Sequence, residues 1–351
     1  MSNALSTLSN VPLRPFFQQQ LSMEEQHATH VVRVIARHGD TLTLLGNDGQ
    51  SSLKLPGKWR LQPPEEQPIV GDWLVMDQQN QPLRWLERLS HLSRKAAGSG
   101  QQTQHMAANI DTLFVVSSCN RDFNPSRLER YLALAFAGNV QPVVLLTKAD
   151  LVDEPEPFCR QVESLHRGVV AIALDARHPD LHHQLGPWIG PGESVAFLGS
   201  SGVGKSTLIN ALLDQKSMAT QAARADDDRG RHTTTARAMF HMKSGAWLLD
   251  TPGMRELRLG ESNQGLQTLF SDIEALAQAC QYRDCDHERT SGCAVLAAVA
   301  SDTLDARRVR NYLKLQREQT YLTETVWQQR DRHRQFARLV NRVKIDKFGK
   351  R

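Results

Sequence analysis

No stretch of this 351-residue chain approaches the roughly 18 uninterrupted apolar residues that a membrane-spanning helix needs. The opening residues, MSNALSTLSNVPLRPFF, have no basic start followed by a long apolar run, so no secretory signal is read there. The expectation is a cytoplasmic chain with no membrane partner. Cysteine is scarce, with five residues. In a cytosolic setting these are thiols or metal ligands rather than disulfides. Net charge is only +4, but residues 330–351 carry nine Lys/Arg against two Asp. Such a tail suits a polyanion such as RNA; as a solvated helix end it would bind nothing.

Apolar residues make up 40% and charged residues 23% of the chain, ordinary for a globular protein. The length predicts two or three domains. Residues 1–27 are polar and weakly patterned, and PLRPFFQQQL (12–21) reads either as a short docking helix or as a tail. From residue 29 to about 92 short strands alternate with turn signals, at His38-Gly39-Asp40 and Asn47-Asp48-Gly49. Four or five such strands without a long helix predict a small barrel of the OB type. Trp59, Trp73 and Trp85 either fill it or stack on bases. LSRKAAGSGQQTQ (92–104) reads as a linker.

Beyond it, buried strands alternate with helices. The strands are DTLFVVSS (111–118), PVVLLTKAD (142–150), GVVAIAL (168–174), SVAFLGS (194–200) and GAWLLDTPG (245–253). This alternation predicts a mostly parallel sheet with ligands at the carboxyl ends of its strands. From about residue 263 the spacing is helical.

Gly199-Ser200-Ser201-Gly202-Val203-Gly204-Lys205-Ser206 fits G-x-x-x-x-G-K-[ST], after a strand and before a helix that continues with Thr207. Glycines there let the backbone wrap phosphate oxygens, and its N–H groups supply positive potential. Lys205 is assigned to the β- and γ-phosphates and Ser206 to Mg²⁺. In DTPG (250–253), Asp250 is placed to hold Mg²⁺ and the Gly253 N–H to sense a γ-phosphate. RADDDRGRHTTTAR (224–237) lies between these motifs and reads as a switch loop.

Thr147-Lys148-Ala149-Asp150 ends an apolar strand. It matches the guanine-reading pattern Asn-Lys-x-Asp except for its first residue. A carboxylate at Asp150 accepts two hydrogen bonds from the guanine edge, and adenine offers no such pair. Lys148 packs along the ring, so the pattern favours GTP. LDAR (174–177) is a poor match to the Ser-Ala turn that usually closes over guanine.

Cys280-x4-Cys285-x-His287-x5-Cys293 offers three thiolates and one imidazole. That set suits a closed, tetrahedral, structural Zn²⁺. Cys119 and Cys159 are read as inert thiols.

Base reading thus precedes the phosphate loop, a circular permutation of the usual GTPase order. With a barrel before it and a cysteine cluster after it, the chain closely resembles the RsgA/YjeQ family. That family comprises GTPases of small ribosomal subunit biogenesis. The resemblance runs over nearly the whole chain, through SRKAAG (93–98), AANID (107–111), GSSGVGKSTLIN (199–210), GRHTTT (230–235), DTPGMREL (250–257) and CQYRDCDHERTSGCAV (280–295). It implies a multidomain α/β chain: an N-terminal tail (1–27), an OB-like β-barrel (28–98), a circularly permuted P-loop GTPase domain (99–262) and a helical zinc-binding domain with a basic tail (263–351). It implies GTP with Mg²⁺, one structural Zn²⁺, the small ribosomal subunit and its rRNA as partner, and a monomer. The Gln that orients water in Ras-type enzymes is replaced here by Met254. His232, beside the threonine run, is then the candidate to orient or deprotonate water, and the resemblance points to the same residue. It also favours Thr234 as the threonine that completes the Mg²⁺ shell. Because the chain passes from DTPGMREL straight into the cysteine-bearing part, a shift of Gly253 is expected to pull on that part. The competing readings are an RNA-binding GTP switch acting on a non-ribosomal partner, and an ATP-dependent kinase using the same loop.

Overall fold

Apolar and polar residues alternate between His30 and Lys54, and the segment folds as three antiparallel strands, β1 (His30–His38), β2 (Thr41–Gly46) and β3 (Gly49–Lys54). Strand β4 (Trp73–Met76) pairs with the first half of β1, and β5 (Pro82–Trp85) pairs with β4. Val32, Val34, Leu42, Leu44, Leu55, Leu74 and Met76 point into one core, with Trp59 edge-on to Trp85 at 5.0 Å. Trp73 is buried against Phe17. The three tryptophans therefore fill the interior.

The computed structural model describes residues 13–95, 103–213, 237–250 and 263–323. The chain divides into two units, residues 1–96 with 102–271, and residues 97–101 with 272–351. Both ends of the segment expected to be a linker lie in strands: β6 (His91–Lys95) and β7 (Thr103–Ala108) pair as an antiparallel ribbon. Its polar composition hid the alternation that buries Leu92 and Met106.

The apolar runs that follow become parallel strands. They are β8 (Thr112–Ser118), β9 (Gln141–Thr147), β10 (Val170–Ala173), β11 (Ser194–Gly199) and, after β12 (Arg237–His241), β13 (Trp247–Asp250). The order is β10-β9-β8-β11-β13, with β12 antiparallel at the end. Strand β12 then pairs with the second half of β1, through Ala36 opposite Ala238 and Arg37 opposite Arg237. A register irregularity between Val34 and Ala36 bends β1 where its partner changes. Among the described residues the first unit therefore holds one mixed sheet of eleven strands, beside the β6–β7 ribbon.

The N-terminal segment docks on this sheet. Leu13, Phe17 and Leu21 are buried, and Arg14 grips Asp111 through two bonds of 2.6 and 2.9 Å. Asp111 also accepts from the Ser194 N–H at 2.8 Å, where β11 begins. Arg33 of β1 is buried, stacks on Trp73, and donates to Ser194 Oγ at 2.8 Å and to the Asn109 carbonyl at 3.2 Å. Burial pulls this guanidinium down to about 10, against the opposing charge of Asp111.

The helix Asn263–Leu269 belongs to the first unit. A Cβ on its Gly265 would collide with the Ala133 carbonyl of the helix Pro125–Ala137, so that residue is a close-approach glycine. The second unit is helical in its described residues, with Ala294–Ala300 and Ala306–Thr323 as its main helices. Arg308 pairs with Asp272 at 3.1 Å and the Tyr312 hydroxyl donates to Glu274 at 2.7 Å. Among the described residues no helix is long and apolar enough to cross a membrane.

Replacing Arg33 with alanine strands the Ser194 and Asn109 acceptors and opens a cavity beside Trp73. We expect a loss of about 2–4 kcal/mol in urea unfolding, a measurement that needs no ligand.

Candidate functional site

Strands β8, β9, β11 and β13 run parallel, so their carboxyl ends meet along one edge of the sheet. Register places Gly199 opposite Val116 and Thr147 opposite Ser118. The phosphate loop and the base turn are thereby brought together, although they lie far apart in the sequence and in reversed order.

The loop leaves β11 at Gly199, where a Cβ would collide with the Val116 carbonyl. Gly202 and Gly204 take φ of 79° and 92°, a region open at little cost only to glycine. The helix Lys205–Leu212 follows directly, with the Leu208 N–H bonded to the Gly204 carbonyl at 3.0 Å. Val203 is buried and anchors the loop, whereas Ser201, Gly202, Ser206 and Thr207 are exposed. Lys205 Nζ donates to the Gly199 carbonyl at 2.7 Å and to the Ser200 carbonyl. An ammonium held by two carbonyl dipoles is one that a phosphate oxygen would displace them from, because a full charge binds it more strongly.

Thr147 is buried at the end of β9. Its hydroxyl sits 2.6 Å from the Val203 carbonyl and 3.0 Å from the Ser117 carbonyl. It is spent on the chain itself, as a strut between the base turn and the phosphate loop. Lys148 follows at φ 59° and caps the 3-10 turn Ala149–Leu151. That left-handed backbone is costly for a lysine. It swings the chain off the strand and leaves Asp150 exposed. The LDAR segment lies alongside: the Leu174 N–H bonds to the Leu146 carbonyl at 3.0 Å.

The loop after β8 reaches the same edge. The Cys119 N–H bonds to the Thr147 carbonyl at 2.9 Å. Asn120 Oδ1 accepts from the Ser118 hydroxyl and the Asp122 N–H, each at 2.9 Å. Arg127, in the first turn of the next helix, donates from Nη1 to Ser200 Oγ at 2.7 Å. No motif marks Arg127; its one sequence signal is its place just after the Asn-Pro start of that helix. The thiols of Cys119 and Cys159 are both pushed up by burial, which suits inert residues.

Asp250 ends β13 at this edge. His232, Thr234 and Gly253 lie outside the described residues.

In the second unit Cys280, Cys285, His287 and Cys293 bring four ligand atoms within 4.8 Å of one another. Cys280 Sγ lies 3.9 Å from Cys293 Sγ, and His287 Nδ1 lies 3.6 and 3.5 Å from those sulfurs. A tetrahedral ion with the usual Zn–S and Zn–N bond lengths sets S···S near about 3.8 Å and S···N near about 3.5 Å. The residues fit such an ion. Burial opposes ionisation of Cys280, but bonds from the N–H groups of Ala294 and Val295, with those from Cys285 and Cys293, hold the thiol below its usual range. Asp286 Oδ1 accepts from the N–H groups of Glu288, Arg289 and Thr290 and shapes the turn that carries His287.

The family model described as RsgA GTPase matches residues 85–260. A second, described as ABC transporter, matches residues 183–351, a span that holds the phosphate loop but not the Thr147–Asp150 turn. The Vibrio vulnificus protein named small ribosomal subunit biogenesis GTPase RsgA 2 is 46% identical, over 97% of this chain and 96% of its own. The Mesorhizobium japonicum protein named small ribosomal subunit biogenesis GTPase RsgA is 41% identical, over 90% and 91%. Among solved structures, YjeQ from Thermotoga maritima aligns with a TM-score of 0.60 at 23% identity, over 85% of this chain and all of that one. YloQ, described as a circularly permuted GTPase, aligns at 0.59 and 23%, over 85% and 98%.

Replacing Thr147 with valine keeps the shape and removes the strut, leaving a buried carbonyl without its donor. We expect a loss of about 1–3 kcal/mol in unfolding free energy. The permuted order, the shared strand edge and these relatives agree: the chain belongs to the RsgA GTPase family.

Proposed function

We propose that this GTPase docks on the small ribosomal subunit late in its assembly and leaves it when GTP is hydrolysed. The observation that carries the reading is the meeting of Asp150 and Lys205 at one sheet edge, across the Thr147–Val203 bond. A carboxylate there discriminates guanine from adenine, which weighs against the kinase reading. The relatives' names supply the ribosomal subunit.

The chain's own residues divide the work. Asp150 and Lys148 hold the base. The N–H groups that open the helix Lys205–Leu212 face the phosphates, and Lys205 exchanges the Gly199 and Ser200 carbonyls for phosphate oxygen. Ser206, Asp250 and Thr234 would hold Mg²⁺, which when bound neutralises charge developing between the β- and γ-phosphates. His232 orients the attacking water, the role left open by Met254. The Gly253 N–H reports on the γ-phosphate.

The antiparallel strands β1–β5 are read as an OB-like barrel and the Cys₃His unit as a zinc-stapled domain. Both would be rRNA-binding surfaces of a cytoplasmic monomer. Support for the zinc comes from the ligand spacing, and support for RNA from the basic tail. The domain limits 28–98, 99–262 and 263–351 stand as part of this reading. The helix Asn263–Leu269 nevertheless packs with the nucleotide-binding unit. A pull from Gly253 would reach that helix first.

The test is GTP hydrolysis with and without purified small ribosomal subunits, with ATP in parallel. Stimulation confined to GTP is expected. Equal hydrolysis of ATP would refute the base assignment, and unstimulated hydrolysis would point to another partner. His232→Ala should lower kcat by about 10²–10⁴ and leave KM for GTP nearly unchanged. Metal analysis should return one zinc per chain. Cys285→Ser should abolish it and lower the melting temperature of the second unit, since such ions supply folding energy outright.

A further inference from the structure

Arg127 is not explained by any motif of this site. It sits in the first turn of the helix Pro125–Ala137, whose cap Asn124 accepts the Arg127 N–H at 3.0 Å. Its side chain reaches 73 residues along the chain to Ser200 Oγ at 2.7 Å. Ser200 is the first loop residue after Gly199, and its carbonyl also accepts from Lys205 Nζ. Lys205 is the loop's cation for the β- and γ-phosphates. Two cations on two different elements therefore converge on one residue, and Lys205 marks it as the terminal-phosphate end of the loop. Among the described residues Arg127 pairs with no carboxylate, and its guanidinium is exposed. A guanidinium has five N–H donors in a planar fork, and the hydroxyl of Ser200 occupies one. Two like charges gathered without an anion repel, and a polyanion in the loop reverses the sign of that interaction.

The segment that carries Arg127 is held in place. Asn120 closes the turn after β8, the Cys119 N–H is fixed to the Thr147 carbonyl, and Phe123 packs edge-on against Phe158 at 5.1 Å. The arginine is presented by a rigid element, which suits a group meant to meet developing charge without reorganisation.

We propose that Arg127 is a built-in arginine of this site that binds the terminal phosphate of GTP from within the same chain. The inference rests on the GTP reading above. In hydrolysis water attacks the γ-phosphorus, the bond to the bridging oxygen breaks, and its electron pair stays on GDP. The water proton leaves with inorganic phosphate or the base. Arg127 gives up no proton, because a guanidinium stays charged at any working pH. Its fork matches phosphate oxygens in two places, which a lysine cannot do. Its contribution is charge placed where the transferring group is most negative, an effect known in nucleotide hydrolases to be large whether the arginine comes in cis or in trans.

The experiment compares the full chain with Arg127→Gln and Arg127→Lys. The readouts are binding of fluorescent GDP, binding of a non-hydrolysable GTP analogue, and single-turnover hydrolysis. Arg127→Gln should weaken the GTP analogue at least about tenfold while GDP stays within about twofold. Hydrolysis should fall by about a hundredfold or more, with Arg127→Lys between the two. Retained GDP binding shows that the variant is folded. An equal fall for GDP and the GTP analogue would make Arg127 a strut of the empty loop and overturn the proposal, as would no change in either. Wild-type protein that binds neither nucleotide would overturn the guanine-nucleotide reading itself, and this inference with it.

Discussion

One hydroxyl group joins the two halves of this site. Thr147 ends the strand that leads to the base turn, and its Oγ1 lies between the carbonyls of Val203 and Ser117. Val203 belongs to the phosphate loop, which the chain reaches only after two more strands and two more α-helices. In a permuted chain no short connection fixes the distance between the groups that hold the base and those that hold the phosphates. Parallel pairing through β8 sets that distance coarsely, and the Thr147 bond sets it finely. Asparagine, the usual residue at this place, carries an amide that can both donate and accept. Threonine's hydroxyl supplies the donor that the Val203 carbonyl requires. At position 147 the chain thus keeps a bond between the turn Thr147–Asp150 and the phosphate loop.

The second constraint is that β1 belongs to two structures at once. Its first half pairs with β4 and its second half with β12. Arg33, on the same strand, reaches Ser194 where the strand of the phosphate loop begins. Between the antiparallel N-terminal strands and the nucleotide edge there is continuous sheet and a buried polar network. Load applied to those strands reaches β11 through hydrogen bonds rather than through a flexible tether. For a GTPase whose proposed partner is a large particle, that continuity offers a path from docking surface to active site.

The sequence was most legible where the chemistry demands special residues. Gly199, Gly202 and Gly204 were readable because a backbone that wraps phosphate excludes side chains. Asp150 stands out because guanine has two donors that a carboxylate fits, and Cys280, Cys285, His287 and Cys293 because a shared ion needs such ligand atoms close together. The apolar strands β8, β9 and β11 were readable from their length alone. What escaped has a common cause. The pairing of β1 with β12 rests on two residue pairs some 200 positions apart, and no local pattern records it. Arg33 and Asp111 look like surface charges until the fold buries the first and half-buries the second, both bonded to Ser194. Segment 92–104, which holds most of β6 and the start of β7, reads as a linker because its Gly, Ser and Gln outnumber its apolar residues. Arg127 escaped because one side-chain contact across 73 residues leaves no motif.

In the proposed site a base turn placed early in the chain and a phosphate loop placed late share one guanine nucleotide. Binding of GDP and of xanthosine diphosphate to the wild type and to Asp150→Asn tests it most directly, since an amide suits the xanthine edge as a carboxylate suits guanine. We expect the substitution to lower GDP affinity by at least about a hundredfold and to raise affinity for xanthosine diphosphate. Unchanged GDP affinity in the variant would mean that Asp150 does not touch the base, and that the two motifs do not share a ligand.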